Sequence, residues 1–266
     1  MSSLVTVDRW GQLRRFTAAR IALGRAGNSL PTSALLEVGL AHAQARDAVH
    51  EPAQQAQMQQ LLESAGFEVI AVRSAAGDRE QYLRRPDLGR RLDEASRARL
   101  AGRAPSPAPD IVLVVADGLS AQARLRHALA LLQILRRELP PLRLGPVVVA
   151  ELARVALGDE IGQLLGARAL AILLGERPGL SAPDSLGIYF THGPAVGRTD
   201  AERNCISNVR PGGLDAAAAA RKLLHLVQGA RLLGRSGIDL KDESAAAGLD
   251  RLRSGSGGHA DGILQL

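Results

Sequence analysis

The run Ile111-Val112-Leu113-Val114-Val115-Ala116 constrains this chain more than any other stretch. Six consecutive apolar residues, four of them β-branched, cannot alternate between core and water. They read as a strand covered on both faces, as in a parallel sheet. Asp117-Gly118-Leu119-Ser120 follows as a turn, with Ser120 placed to cap a helix whose apolar stripe is Leu125, Ala128, Leu129, Leu132 and Leu135. Strand-like runs recur at residues 67–72, 147–149, 169–174 and 186–191. Helical stretches at 84–100, 159–165 and 214–233 stand among and after them. The alternation predicts an α/β fold, a Rossmann-like, mainly parallel doubly wound sheet over residues 66–243.

Residues 1–65 read as an N-terminal helical extension. Leu13, Phe16, Ala19, Ile21 and Leu23, with arginines between them, suggest an amphipathic helix over 12–24 that Gly24 and Gly27 end. An Ala-rich helix over 33–50 carries Leu36, Leu40 and Ala43, and Pro52 separates it from a third that ends near 65. Residues 102–109, rich in Pro, form a connector. Beyond 243 the sequence turns to Ala, Gly and Ser, and residues 244–266 are expected to be a flexible tail.

Composition narrows the function. At 266 residues and 46% apolar content the chain can bury one main core. Three Phe, two Tyr and one Trp are too few for a stacking surface, which disfavours single-stranded nucleic acid. The net charge of +6 is spread through every segment and interleaved with carboxylates, so it reads as a solvated surface and not as a nucleic-acid or membrane patch. A single cysteine, Cys205, rules out an intrachain disulfide and fits a reducing compartment. No run approaches 18 apolar residues, and Arg9, Arg14, Arg15 and Arg20 interrupt the place of a signal-peptide core. The chain reads as soluble and intracellular.

In open α/β sheets ligands sit beyond the carboxyl ends of the strands. Four candidate loops follow: 117–120, 154–160, 175–179 and 203–208. No dinucleotide glycine fingerprint follows a strand and no Walker loop occurs, which disfavours NAD and ATP. The six histidines never fall at metal-ligand spacing, so no metal site is assigned. Ser120 lacks the nucleophile elbow and is better read as a cap. Cys205 is either a thiolate activated by nearby Arg203 and Arg210 or a buried inert thiol. An alternative function is a freestanding nucleotide-binding enzyme, with phosphate held by Gly118, Ser120 and a helix N-terminus. An RNA-binding accessory role, driven by the basic charge, is a third.

Five segments taken in order carry a resemblance. They are Phe16-Thr17-Ala18-Ala19-Arg20-Ile21 with Gly24-Arg25-Ala26-Gly27, Ala116-Asp117-Gly118-Leu119-Ser120-Ala121, Gly158-Asp159-Glu160-Ile161-Gly162, Gly175-Glu176-Arg177-Pro178-Gly179-Leu180, and Asn204-Cys205-Ile206-Ser207-Asn208. Together they resemble the light-chain family of ethanolamine ammonia-lyase, over almost all of residues 13–243. The resemblance implies a subunit of a lyase that converts ethanolamine to acetaldehyde and ammonia by radical chemistry from adenosylcobalamin. It implies a catalytic large subunit, a TIM barrel, as partner, and a hetero-oligomer that by analogy is a hexamer of heterodimers. No catalytic residue is then expected on this chain. Matching positions put Val155, Glu176 and Cys205 at the cofactor, where an apolar face, a hydrogen-bond acceptor and a small thiol suit a corrin ring and its amides. The implied location is cytoplasmic or within a bacterial microcompartment, although the N-terminus is short for the usual targeting segment.

Overall fold

The computed structural model describes residues 4–139 and 141–244; the expected tail, apart from Ser244, lies outside the described residues. Six strands form one sheet: β1 (Val69–Arg73), β2 (Ile111–Ala116), β3 (Val147–Glu151), β4 (Ala169–Gly175), β5 (Leu186–His192) and β6 (Arg203–Val209). Their order is β1-β3-β2-β4-β5-β6. The first four are mutually parallel, whereas β5 runs antiparallel to β4 and β6 antiparallel to β5. The sheet is therefore mixed and mostly parallel.

All six residues of β2 are buried. Ile111, Leu113 and Val115 face one side, against α2 (Gln55–Ser64), α5 (Ala121–Glu138) and α7 (Ala216–Leu233). Val112, Val114 and Ala116 face the other, against α4 (Glu94–Ala101) and α6 (Leu157–Leu164). Each fully buried Val, Leu or Ile contributes about 1.5–3 kcal/mol, so this central strand anchors both cores. The crossovers from β1 to β2 and from β3 to β4 lead one way across the sheet and pass over the α4/α6 face. The crossover from β2 to β3 leads the other way over the α5 face. A single crossover hand requires that arrangement. It splays the connections after β2 and β3 apart and opens a crevice at the carboxyl ends of β2, β3 and β4.

The hairpin of β5 and β6 is covered along one face and only in part on the other. Leu186, Ile188, Phe190 and Ile206 join the core under α7. The opposite row is Gly187, Tyr189 and Thr191 on β5, with Arg203 and Cys205 across from Thr191 and Tyr189. α6 reaches over the Thr191 and Arg203 end, and the rest stays open.

Several local expectations fail for identifiable reasons. Residues 12–24 are not an α-helix: a 3-10 turn spans Arg9–Phe16 and the chain is extended at Thr17. None of its residues is buried, and an isolated short helix without a packed face is marginal in water. The helix expected over 84–100 is two, α3 (Arg79–Arg84) and α4, with a 3-10 turn at Leu88–Arg90 between them. Pro86 pushes Arg85 out of the helical region, to φ −123° and ψ 75°, and so ends α3 instead of starting a helix. Asp93 then caps α4, accepting from the Ser96 N–H at 2.7 Å. Residues 203–208 are strand β6, not a loop. Its Asn and Ser residues are poor strand formers and hide the pattern that buried Arg203, Ile206 and Val209 reveal. The helix read over 33–50 stands as α1 (Thr32–His50).

Candidate functional site

The loops after β2 and β3 are tied together by Asp117, which is fully buried. Its Oδ1 accepts from the backbone N–H of Gly118 at 3.0 Å and of Ala153 at 3.1 Å. Its Oδ2 lies 3.4 Å from Arg79 Nη1. Leu119 N–H donates to Gly175 O at 2.9 Å. Backbone meets backbone here: a Cβ on Gly118 (φ +55°) would stand 2.2 Å from Gly175 O, and one on Gly175 2.1 Å from Ser120 O. Only glycine permits both approaches.

That packing removes the phosphate cradle considered at Gly118 and Ser120. The start of α5 is filled by the β4 loop, and fully buried Ser120 donates its hydroxyl to Pro183 O at 3.0 Å. Ser120 occupies the N-cap position but makes no side-chain cap bond, which corrects its reading as a cap. A nucleotide-binding enzyme built on those two residues is not supported.

Beside these loops a cavity of ≈ 770 Å³ opens along the edge of the sheet. Val155 and Ala156 from the β3 loop, Gly175, Glu176 and Arg177 from the end of β4, and Tyr189 from the open face of β5 line it. Glu176 is half-buried. Its Oε2 accepts from the Ser185 hydroxyl and from the Asn208 N–H at 3.2 Å. The hydrogen bonds that Glu176 forms among the described residues both go to Oε2, which leaves Oε1 uncommitted. A Cβ at Gly187 would sit 2.9 Å from that Oε1, so the missing side chain there makes room for the carboxylate.

Cys205 faces Tyr189 across the β5/β6 pair. The Tyr189 hydroxyl and the Cys205 thiol lie near enough to influence each other's ionisation. Cys205 is exposed as a residue, yet its thiol end is desolvated beside Tyr189. That burial, with the Glu176 charge, pushes it above the ordinary thiol range. Burial and the neighbouring thiol hold the Tyr189 hydroxyl well above the usual phenol range. Both groups are therefore protonated near neutral pH. The structure thus places Val155 and Glu176 in the cavity wall and Cys205 on the adjoining strip, against Tyr189 and within the field of Glu176.

The arginines adjacent to Cys205 in sequence do not activate it. Arg203 is buried and turned under α6, donating to both Asp159 oxygens at 2.6 and 2.7 Å. Burial works against its charge, but Asp159 more than compensates and raises Arg203 above its usual value. Arg210 Nε donates to Asn208 Oδ1 at 2.8 Å. Neither reading left open for Cys205 holds as stated: the two arginines are turned to other partners, and the residue is exposed and not buried.

The same cavity holds residues that the sequence did not single out. Tyr82 is fully buried and donates to Ala153 O at 3.0 Å. Burial, then Asp117, keep its hydroxyl far above the phenol range. Arg79 and Arg154 lie over its ring, at 4.9 and 4.2 Å from the centroid. A Tyr in an aromatic-poor chain, among several arginines, was the only signal available for this cluster.

The family model for ethanolamine ammonia-lyase light chain (EutC) matches residues 7–241. The chain belongs to this family. It is 56% identical over 259 residues to the ethanolamine ammonia-lyase small subunit of Azotobacter vinelandii, covering 96% of each chain. It is 54% identical over 243 residues to that of Ralstonia nicotianae, covering 90% of each. With the small subunit of Pseudomonas aeruginosa PAO1 it shares 53% over 245 residues, 91% of this chain and 90% of the other. Light-chain membership makes the protein part of an ammonia-lyase. Among the described residues no helix is long and apolar enough to cross a membrane.

Proposed function

We propose that this chain is the small subunit of an ethanolamine ammonia-lyase, completing an adenosylcobalamin site at its interface with the large subunit. The observation that carries the reading is the position of Val155 and Glu176 in one wall of a cavity at the carboxyl edge of the sheet, with Cys205 beside them, in a chain similar end to end to known small subunits. The same reading takes the sheet as Rossmann-like, with its ligand at the crossover crevice.

The residues present suit a corrin. Val155 offers an apolar face, and Glu176 Oε1, which takes no hydrogen bond among the described residues, can accept from amide N–H groups. Cys205, kept protonated, adds a small neutral surface. Bound adenosylcobalamin would supply the radical through cleavage of its cobalt–carbon bond. This chain's part is to bind and orient: Asp117 fixes the β2 and β3 loops, and Tyr189 stands opposite the thiol across the strand pair. Acid, base and substrate groups are assigned to the large subunit. A hexamer of heterodimers in the cytoplasm or a microcompartment is the matching assembly.

Co-expression with the large subunit, followed by an assay of acetaldehyde release from ethanolamine, tests the reading. Activity is expected only with both chains and adenosylcobalamin. Turnover by this chain alone, or by the pair without the cofactor, would overturn it.

A further inference from the structure

Arginines with no carboxylate partner converge on the cavity. Of its lining guanidiniums, Arg203 is matched by Asp159 and Arg198 by Glu202. Arg90, Arg154 and Arg177 form no ion pair among the described residues. They arrive from three places: the turn after α3, the loop after β3 and the loop after β4. Two carboxylates share the lining. Asp200 leans on Arg203 Nε at 3.5 Å, which leaves Glu176 facing three uncompensated cations.

Arg154 is set in place before any ligand arrives. Its backbone N–H donates to Gly89 O at 2.8 Å, and this bond brings the Arg90 turn beside it. A Cβ on Gly89 would stand 2.8 Å from Arg154 Cγ and 3.0 Å from the Tyr82 ring, so only glycine lets the turn close over the side chain. The guanidinium stacks on Tyr82, and Nη2 donates to Tyr82 O at 3.2 Å. Nε is buried with no acceptor. Buried N–H groups seldom stay unpaired. A planar fork held in place with an unsatisfied donor, next to two exposed arginines, matches an anion with several acceptor oxygens.

We propose that Arg90, Arg154 and Arg177 form a phosphate site that takes the phosphodiester of the cobalamin nucleotide tail. The assignment rests on the proposed cobalamin role of the cavity. A free phosphate offers the same chemistry, so the test must separate the two sources.

Absorbance titration of the assembled two-subunit complex with hydroxocobalamin and with cobinamide, the corrinoid lacking the nucleotide tail, does so. The Arg90→Gln/Arg177→Gln variant should lose about tenfold or more in cobalamin affinity, the scale of one charge-assisted contact. Its affinity for cobinamide should stay within about twofold of wild type on the same argument. Arg154→Lys, which keeps the charge and loses the fork, should show the same bias to a smaller degree. Circular-dichroism melts of each variant control for folding. Equal losses for both corrinoids, or none for either, overturn the proposal. A thermal shift of the full wild-type chain by inorganic phosphate that the double variant lacks, with an unchanged corrinoid ratio, assigns the arginines to free phosphate and also overturns it. If the wild-type complex binds neither corrinoid, the cobalamin reading itself has failed.

Discussion

At the scale of single residues, Glu176 and Cys205 make opposite demands on their surroundings. Glu176 keeps one oxygen committed to Ser185 and Asn208, and the other takes no hydrogen bond among the described residues. Glu176→Ala is therefore expected to weaken cobalamin binding by the assembled complex by about 1–3 kcal/mol, the cost of leaving a partner unsatisfied. The isolated chain should stay folded but melt lower, because Ser185 and the Asn208 N–H lose their acceptor. Titration of the complex checks the first statement and calorimetry the second, and unchanged affinity would remove Glu176 from the site. Cys205 is held as a thiol by desolvation and by the Glu176 charge. Its alkylation by iodoacetamide should be slow at neutral pH and keep accelerating above the ordinary thiol range. In Glu176→Gln the rate profile should move to lower pH, because one of the two causes of the raised value is gone. A plateau below pH 8 in the wild-type chain would contradict this (ordinary thiol pKa about 8.5).

Elements hold these residues in register, and two contacts between elements carry the arrangement. The first is the glycine contact that lets the β2 and β4 loops touch. Gly175→Ala would bring a methyl to 2.1 Å from Ser120 O and should cost about 3 kcal/mol, as forced backbone shifts in tight packing do. Urea denaturation measures it, and a change within about 0.5 kcal/mol, the usual surface effect, would show that the loops can part. The second contact is Asp159 of α6 against Arg203 of β6, both side chains almost fully buried. Asp159→Ala strands a buried guanidinium and should cost about 3–5 kcal/mol, whereas replacing both by apolar residues should recover much of it. A double variant no more stable than Asp159→Ala would count against that account. The same contacts explain what the sequence could tell. The β2 run was legible because a strand buried on both faces has no polar position. The β3 loop and the β4 end were legible as places where ligands approach an open sheet. Strand β6 was not, since its outward residues are polar and small. Nor was the fate of Ser120 or Arg203, whose partners Pro183 and Asp159 lie 63 and 44 residues away along the chain. The Tyr82 and Arg154 stack, likewise joined across 72 residues, has no local pattern to read.

At the scale of the molecule, the N-terminal region behaves as a surface that expects company. Helix α1 buries only Ala34 and Ala41, and Leu36 and Leu40, one turn apart, are 69% and 61% exposed. Trp10 and Phe16 are also largely exposed. The region is nonetheless fastened to the site: Arg20 donates to Leu180 O at 3.1 Å and to the Ser181 hydroxyl at 3.4 Å, on the loop that follows Glu176. Arg20 thus has a role within the chain as well as any at an interface. Clustered exposed apolar side chains mark protein contact surfaces, and the small-subunit reading supplies the large subunit as the partner. Leu36→Gln/Leu40→Gln keeps good helix formers in α1. It should leave the stability of the isolated chain within about 0.5 kcal/mol, as surface changes generally do, and reduce its tendency to aggregate. The same variant should co-purify poorly with the large subunit, because the contact depends on those apolar side chains and not on the fold beneath them. Wild-type recovery of the complex would place the subunit contact elsewhere and leave the exposed leucines of α1 without that role. Loss of the complex with an unchanged melt would separate assembly from folding, and would show that the apolar face of α1 joins subunits without holding the fold together.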